Sequence, residues 1–467
     1  MIFLFNRFMN VFESLKTVKI EKIYLWLGVP IGLIFLFLMP PFQAPDEPAH
    51  YFKALNLAQG QITCNEQISA PANYVSLPEN TLLVKIQGIH NKKISGAALF
   101  KAFTDRASTD EVLVTTAICT ASPIGYIPQV AGLKIGLLTQ APPLVAFYLG
   151  RLLTFLATAV LLYFAIKIAP FGKLVFLIVS LLPMTVQQIS AFSYDAMHIG
   201  LVLLFTAYLL KLAVESEKLS RRDAVWLFVL SLLAFNAKPG YFLFAFLVFL
   251  LPRVKFPDVR KYWIYVLGFI VAHISFFMLL RTIFIDLGGG FKKHIDPAAQ
   301  LMGVLANPLW FPFQVLQTIY GRPAFYFETI IFKPGWLTSS LPSLWYIFMG
   351  VAIVLLLRSV AEKNPLSRNQ RLILLGVFLT QFLLVFFALY LAWTPVGNKH
   401  VIGVQGRYLL TLLPIFIFSF YKSDFHFRSE WIKNNIPATL IIFLLTSFVF
   451  VFIHIAQLYY KDLSSYF

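Results

Sequence analysis

Three residues within one short stretch have the types and spacing for acid–base chemistry. Asp46, Glu47 and His50 lie in "PDEPAH", directly after an apolar run that ends in two prolines. On a helix, positions 46 and 50 are four apart and 47 and 50 three apart, so the imidazole can meet either carboxylate. That grouping suits a catalytic carboxylate with an orienting partner. The same donors also suit a divalent cation, Mg2+ or Mn2+, with Asp46 and His50 as two of its ligands. A helix cap uses one carboxylate, so the second calls for another explanation.

Other ionisable and polar residues punctuate an otherwise greasy chain. They are Ser193, Tyr194, Asp195 and His198 in "SYDAMH", Lys238 and Tyr241 in "NAKPGY", and the segments "HIDP" (His294–Pro297) and "KPGWL" (Lys333–Leu337), the latter with Trp336. Gln405, Arg407 and Tyr408 stand in "GVQGRYLL". Ionisable groups at membrane depth normally mark a functional path. Each has a plainer reading as well: Asp195 as a helix cap, Arg407 snorkelling to the interface, His198 and His273 packing between helices. No Walker loop, dinucleotide fingerprint, zinc-ligand spacing or nucleophile elbow occurs.

The elements that must position these residues are membrane helices. The 467 residues are 59% hydrophobic, include 49 Phe, and are only 13% charged, against roughly 25% in soluble domains. Mean hydropathy is +0.76. Apolar runs centre on residues 23–39, 144–166, 174–190, 197–213, 224–236, 239–251, 262–284, 342–357, 371–392, 408–420 and 438–457. Most approach the roughly 17–25 residues needed to cross the hydrocarbon core, which predicts about eleven transmembrane helices in one all-α domain spanning 1–467. The first run has basic residues before it but no small-x-small cleavage site after it, and reads as a retained helix.

With the N-terminus inside, more than half of the 38 Lys and Arg fall in inner segments. The short outer ones hold only Lys238, Lys399, Arg407 and Lys461. Arg151 lies inside a helix, and the remaining basic residues lie in two long outer loops or, for Arg281, at the helix end that leads into the second. This is the positive-inside pattern, so the net charge of +17 reflects topology and not a nucleic-acid partner.

Those outer loops are 42–142 and 285–340. The first should open with a short helix over 46–59, capped by Asp46, with Pro48 in its first turn and Gly60 ending it. Tyr51, Phe52, Leu55 and Ala58 recur at helical spacing, which predicts a helix laid along the membrane surface. Residues 126–141 read as a second such piece. Cys64 and Cys119, the two cysteines, fall in this loop and either pair or remain separate thiols. The runs 224–236 and 239–251 are about thirteen residues each and read as a hairpin whose tip stops short of the outer surface. Its tip at Lys238 requires a cavity open to the outer side.

"PDEPAH", "PMTVQQISAFSYDA", "KPGY", "GWL" and "IGVQGRYLL" together resemble a family of bacterial membrane proteins without an assigned reaction, over about residues 20–460. The layout is similar to that of the GT-C glycosyltransferases. The resemblance implies a bacterial inner-membrane enzyme working on the extracytoplasmic face. It would move a sugar, with inversion, from a polyprenyl-phosphate donor to a glycan or lipid-linked acceptor. Asp46 would be the general base, with Glu47 and His50 at the other motif positions. Charge and depth make Lys238 and Arg407 candidates for the phosphate, with Tyr241, Gln405, Tyr408, Asp195, Ser193 and Trp336 around the substrate. A transporter or flippase, or a polymerase or ligase of lipid-linked glycans, is the alternative. The topology makes a direct expectation: a reporter active only outside the cell should work when fused within 70–115 or after Phe467. Activity after Lys218 or Arg260 would overturn it.

Overall fold

The computed structural model describes residues 18–62, 68–80, 94, 100, 103–104, 106–114, 121–215, 218–284, 295–359, 364–420 and 430–460. Cys64, Cys119 and His294 lie outside these residues. Backbone surrounded by lipid must satisfy its polar groups internally, and every one of the apolar runs is helical. Among the described residues six helices are long and apolar enough to cross a membrane: Ile20–Leu38, Pro143–Ile168, Tyr194–Val214, Val259–Leu280, Arg368–Trp393 and Ala438–Tyr459. A seventh span results if Lys173–Ser180 and Pro183–Ser190, bent by 62° at their junction, count as one. Pro183 explains the break, because the residue before a proline is driven out of helical geometry; Leu182 is accordingly extended. Arg221–Asn236, Ser343–Ser359 and Gly406–Phe420 are shorter, so length and composition alone support six or seven spans where the sequence suggested eleven.

The first span carries a π turn at Tyr24–Gly28, just ahead of Pro30. A proline inside a helix lacks the N–H and crowds the carbonyl four residues back, and the widened turn relieves both. At the far end, Met39 leaves the helix and Pro40 and Pro41 follow. The hairpin is present, but its second arm is a 3-10 helix, Phe242–Leu250. Gln381 and Gln370 of Arg368–Trp393 donate to the carbonyls of Gly240 (2.8 Å) and Leu250 (2.9 Å), fastening both ends of that arm.

Between the first two spans lie the expected helices, Glu47–Ala58 and Ile127–Leu138, with an antiparallel ribbon pairing Ile68–Pro71 with Glu111–Val114. The first of these is not laid over a surface, because no residue from Glu47 to Ala58 is exposed. Tyr51 sits in a nest of rings made by Phe42, Phe147 and Phe192, and Ala54, Leu55 and Ala58 are also buried. The period that suggested an amphipathic surface helix is instead a core-facing stripe within the protein. The second long loop, 285–340, likewise holds helices among its described residues, Pro297–Ala306, Trp310–Gly321 and Pro323–Ile331.

Ile127–Leu138 crosses Pro143–Ile168 with the two backbones almost touching. A Cβ built on Gly132 would lie 2.4 Å from the backbone nitrogen of Gly150, the close approach that small residues permit between helices. Gly132→Ala should therefore lower the melting temperature of the purified protein, by the equivalent of about 1–3 kcal/mol for an overpacked core. Gly376→Ala, where the added methyl would meet nothing within 4 Å, should leave it unchanged or raise it. Equal effects of the two would refute the packing argument.

Candidate functional site

Five chain segments converge on one cavity of about 570 Å³. One wall is polar and aromatic and includes Asp46, His50, Tyr194, Lys238, Tyr241 and Tyr408. The other is one face of the helix Arg368–Trp393: Leu384, Val385, Ala388, Leu389 and Trp393. Their spacing is the ordinary helical repeat of a single apolar stripe. The cavity predicted from Lys238 at the hairpin tip is thus present.

Its charged groups form a chain. Lys238 Nζ donates to Asp195 Oδ1 at 2.6 Å. Arg407 donates through Nη1 to Asp195 Oδ2 (3.2 Å) and Gln188 Oε1 (3.1 Å), and through Nη2 to Asp46 Oδ2 at 2.7 Å. Its Nε donates to Gln405 Oε1. Arg407 and Asp195 are nearly buried, whereas the Asp46 side chain is 50% exposed. Asp195 therefore couples both cations, and Asp46 is the acid that faces open space. The Lys238 ammonium also rests over the Tyr408 ring, 4.3 Å from its centre, which adds a cation–π attraction.

The local backbone directs these groups. Asp46 has φ +64°, the left-handed conformation that Asp tolerates better than most residues. Its side chain makes no capping hydrogen bond to the helix that begins at Glu47. The expected cap is replaced by the ion pair with Arg407, because the left-handed turn carries the carboxylate away from the helix end. Asp195 is held by a real cap: Ser193 Oγ accepts from its backbone N–H at 3.1 Å. Gly406 lets the segment bearing Arg407 lie flat on Pro323–Ile331, and its N–H donates to Thr329 Oγ1 at 2.8 Å. A Cβ there would come within 2.4 Å of the Tyr326 carbonyl oxygen.

His50 meets neither carboxylate as a hydrogen-bond partner; its Nδ1 is 2.7 Å from the Tyr126 hydroxyl. Burial pushes its pKa down to about 4, so the ring is neutral at ordinary pH and shares a proton with the phenol. Asp46 and His50 do not make a cation cage either. Asp46 is engaged by a guanidinium, and among the described residues no three His, Cys, Asp or Glu side chains could hold a metal ion together.

Glu47 takes a different place from its neighbour. It is fully buried, does not line the cavity, and meets Arg151 through two bonds, from Nε to Oε1 (2.8 Å) and from Nη2 to Oε2 (2.7 Å). Its Oε1 also accepts from the Phe192 N–H at 2.7 Å. Arg151 then donates to the carbonyls of Leu36 (3.1 Å), Met39 (2.8 Å) and Pro40 (3.2 Å). The proline at 40 deprives the Leu36 carbonyl of its helical donor, and Arg151 supplies one. Read along the sequence, Arg151 looked like a stray charge in a helix; no local spacing links it to residue 47.

Ser193 and Trp336 are also supports and not cavity residues. The Ser193 carbonyl accepts from Gln129 Nε2 at 2.8 Å, and Trp336 Nε1 donates to the Phe42 carbonyl at 3.0 Å, bracing the turn before Asp46. Tyr241 lines the cavity and donates its hydroxyl to the Tyr408 carbonyl at 2.8 Å. His198 and His273 pack as expected, with Nδ1 against the carbonyls of Ala234 and Phe269. Gln188 and Tyr126 were not singled out from the sequence, although Gln188 lies in the polar "TVQQIS" of the bent helix pair.

Breaking a buried ion pair on one side strands the other charge, which costs about 3–5 kcal/mol. Arg151→Met should accordingly cause a large loss of thermal stability. The double variant Glu47→Leu/Arg151→Met should recover only part of it, because the Leu36 and Met39 carbonyls still lack their donor, while that of Pro40 keeps the Gln43 N–H. Full recovery in a thermal unfolding measurement would show that those carbonyls do not depend on Arg151.

A family model described as a predicted membrane protein (DUF2142) matches residues 30–416. No curated protein and no solved structure matches the chain.

Proposed function

We propose, from the premise that this chain belongs to that family of membrane proteins, that it is a glycosyltransferase of the GT-C kind. It moves a sugar from a polyprenyl-phosphate donor to an acceptor hydroxyl on the extracytoplasmic side of a bacterial inner membrane. The observation that carries this reading is the two-faced cavity. A half-exposed carboxylate and the Lys238 ammonium stand on one wall, with Arg407 buried behind that carboxylate, and an uninterrupted apolar helix face forms the other. An amphiphile with an anionic head and a hydrocarbon tail has this division of character. A nucleotide sugar does not cross the bilayer, so transfer outside requires a lipid-borne donor.

In this reading the acceptor oxygen attacks the anomeric carbon, the bond from that carbon to the phosphate oxygen breaks, and the proton passes to Asp46. Polyprenyl phosphate leaves with increased negative charge. Lys238 and Arg407 meet that charge, an interaction that strengthens as the bond breaks. Both cations are already paired with carboxylates, so the phosphate enters by exchange. Asp195 and Gln188 keep Arg407 in place from behind, while its Nη2 can turn from Asp46 to the phosphate. That exchange frees Asp46 to act as a base when the donor is bound. Glu47, committed to Arg151, takes no part in the chemistry.

The test is an assay of the purified protein over a panel of polyprenyl-phosphate sugars. Asp46→Asn should bind donor normally and retain its fold, with turnover lowered about a hundredfold or more, the scale of a lost general base. Lys238→Ala should weaken donor binding and also slow turnover. Retained turnover in Asp46→Asn would remove Asp46 as the base. Absence of transfer from every donor would remove the reaction itself.

A further inference from the structure

A second cavity, of about 440 Å³, adjoins the first, and Gly403 and Gln405 line both. Its character is different. Arg322, His400, Asn398, Phe325 and Tyr326 are among its lining residues, and no acidic residue is. Nothing in it corresponds to the long apolar stripe of the first cavity.

Arg322 is the informative residue. It sits at the junction of Trp310–Gly321 and Pro323–Ile331, where its N–H donates to the Ile319 carbonyl and its own carbonyl accepts from Tyr326. The backbone is therefore fixed, and the guanidinium is what remains to reach a ligand. Among the described residues no carboxylate pairs with it. Glu328, on the next helix, is engaged by Lys333 and Ser340. The His400 ring lies beside this junction, its Cε1 3.6 Å from where a Cβ on Gly321 would sit, an ordinary van der Waals distance. A guanidinium and an imidazole in a concavity without acids suit an anion, and Arg offers a forked donor set to phosphate or carboxylate.

The opposite side of this cavity is rigid. The segment 398–405 hangs on the helix Trp310–Gly321 by two bonds, Gln314 Nε2 to the Asn398 carbonyl (2.6 Å) and the Val401 N–H to Thr318 Oγ1 (2.9 Å). The segment then delivers Gln405, whose Oε1 receives the Arg407 Nε. The partition between the two cavities is thus the residue that orients the guanidinium facing Asp46. A ligand held by Arg322 and reaching Gln405 would present its near end to the first cavity. Phe325 and Tyr326 offer ring faces of the kind that ligand pockets combine with a few directed polar groups.

We infer that this second cavity binds the acceptor, and that the acceptor is a polar saccharide carrying a phosphate or carboxylate, held at that anion by Arg322 with His400 beside it. The acceptor role and the saccharide class rest on the glycosyltransferase reading; the anion site at Arg322 does not.

The test uses the full chain in detergent and two probes measured by calorimetry, glucose 6-phosphate and undecaprenyl phosphate, with glucose as the neutral control. Arg322→Met should weaken glucose 6-phosphate by about tenfold or more, the scale of a charge-assisted pair, and leave undecaprenyl phosphate unchanged. Lys238→Met should do the reverse, and each probe should still bind when the other is saturating. Arg322→Lys, which keeps the charge but not the fork, should recover part of the lost affinity, and unchanged melting temperatures establish that the variants are folded. The inference fails if glucose 6-phosphate does not bind, binds no better than glucose, or competes with undecaprenyl phosphate for a site dependent on Lys238. Arg322-dependent binding without transfer from any lipid-linked sugar would keep the site and remove the glycosyltransferase reading.

Discussion

Carbonyl oxygens that lose their helical donors at Pro40 and Pro41 set the terms for the surrounding fold. In an apolar setting each unsatisfied group carries a desolvation penalty that water cannot relieve. Arg151 reaches three carbonyls of this corner, and Tyr460 donates its hydroxyl to a fourth, that of Leu38, at 3.0 Å. A buried guanidinium in turn requires a carboxylate, which Glu47 provides. Because Glu47 also accepts from the Phe192 N–H, one carboxylate joins the end of the first span, the second span and the approach to the helix that carries Asp195. Asp46 precedes Glu47 in the chain and Asp195 follows Phe192 by three residues. The distance between the two acids around Arg407 is therefore set from behind, by a pair that never meets the cavity.

This division of labour explains why two adjacent carboxylates behave so differently. Glu47 is the first residue of its helix and points into the protein; Asp46 stands one position earlier in a left-handed turn and points out. A left-handed non-glycine residue costs of order 1–3 kcal/mol and persists only where its surroundings impose it. Here the imposing contacts are Arg407 on the side chain and Glu47 on the neighbouring residue. The charges balance, with Asp46 and Asp195 against Lys238 and Arg407, so the site is an ordered ionic chain and not a bare basic patch. In the proposed reading, an anion binding there exchanges partners. For that reason we assign it to the half-exposed Asp46 end and not to the buried Asp195 end.

Much of the fold was readable because lipid removes alternatives. Every apolar run is a helix, Gly60 ends its helix with φ +96°, and the short hairpin places Lys238 at a cavity. Period and charge are one-dimensional properties, and they identified the segments that carry Asp195, Lys238 and Arg407. They could not assign partners between segments. The pairing of Glu47 with Arg151 spans 104 positions, and Trp336 reaches back 294 positions to Phe42. The i, i+4 rule linking His50 to Asp46 presumes that residue 46 is helical; its left-handed backbone removes that premise, and Tyr126, 76 positions away, becomes the partner of His50. The count of eleven is not confirmed by length and composition for a similar reason, since the 3-10 arm and the helices Arg221–Asn236 and Ser343–Ser359 use apolar residues without being long straight helices.

The width of the first cavity has its own physical cause. Its polar wall ends on the hairpin tip and its apolar wall belongs to Arg368–Trp393. Glutamines in a long apolar helix are poor company for lipid, but Gln381 and Gln370 donate to the carbonyls of Gly240 and Leu250 at the two ends of the 3-10 arm. A 3-10 helix has weaker internal bonding than an α-helix, so it depends on such outside donors to hold its course. The Gly240 contact lies two residues from Lys238, and Leu384 and Val385 follow Gln381 by three and four, on or near the same face. One hydrogen bond thus fixes the separation between the ammonium group and the apolar stripe. The gap is built into the scaffold, which is what the proposed amphiphilic donor would require of a pocket with its polar and apolar groups on opposite walls.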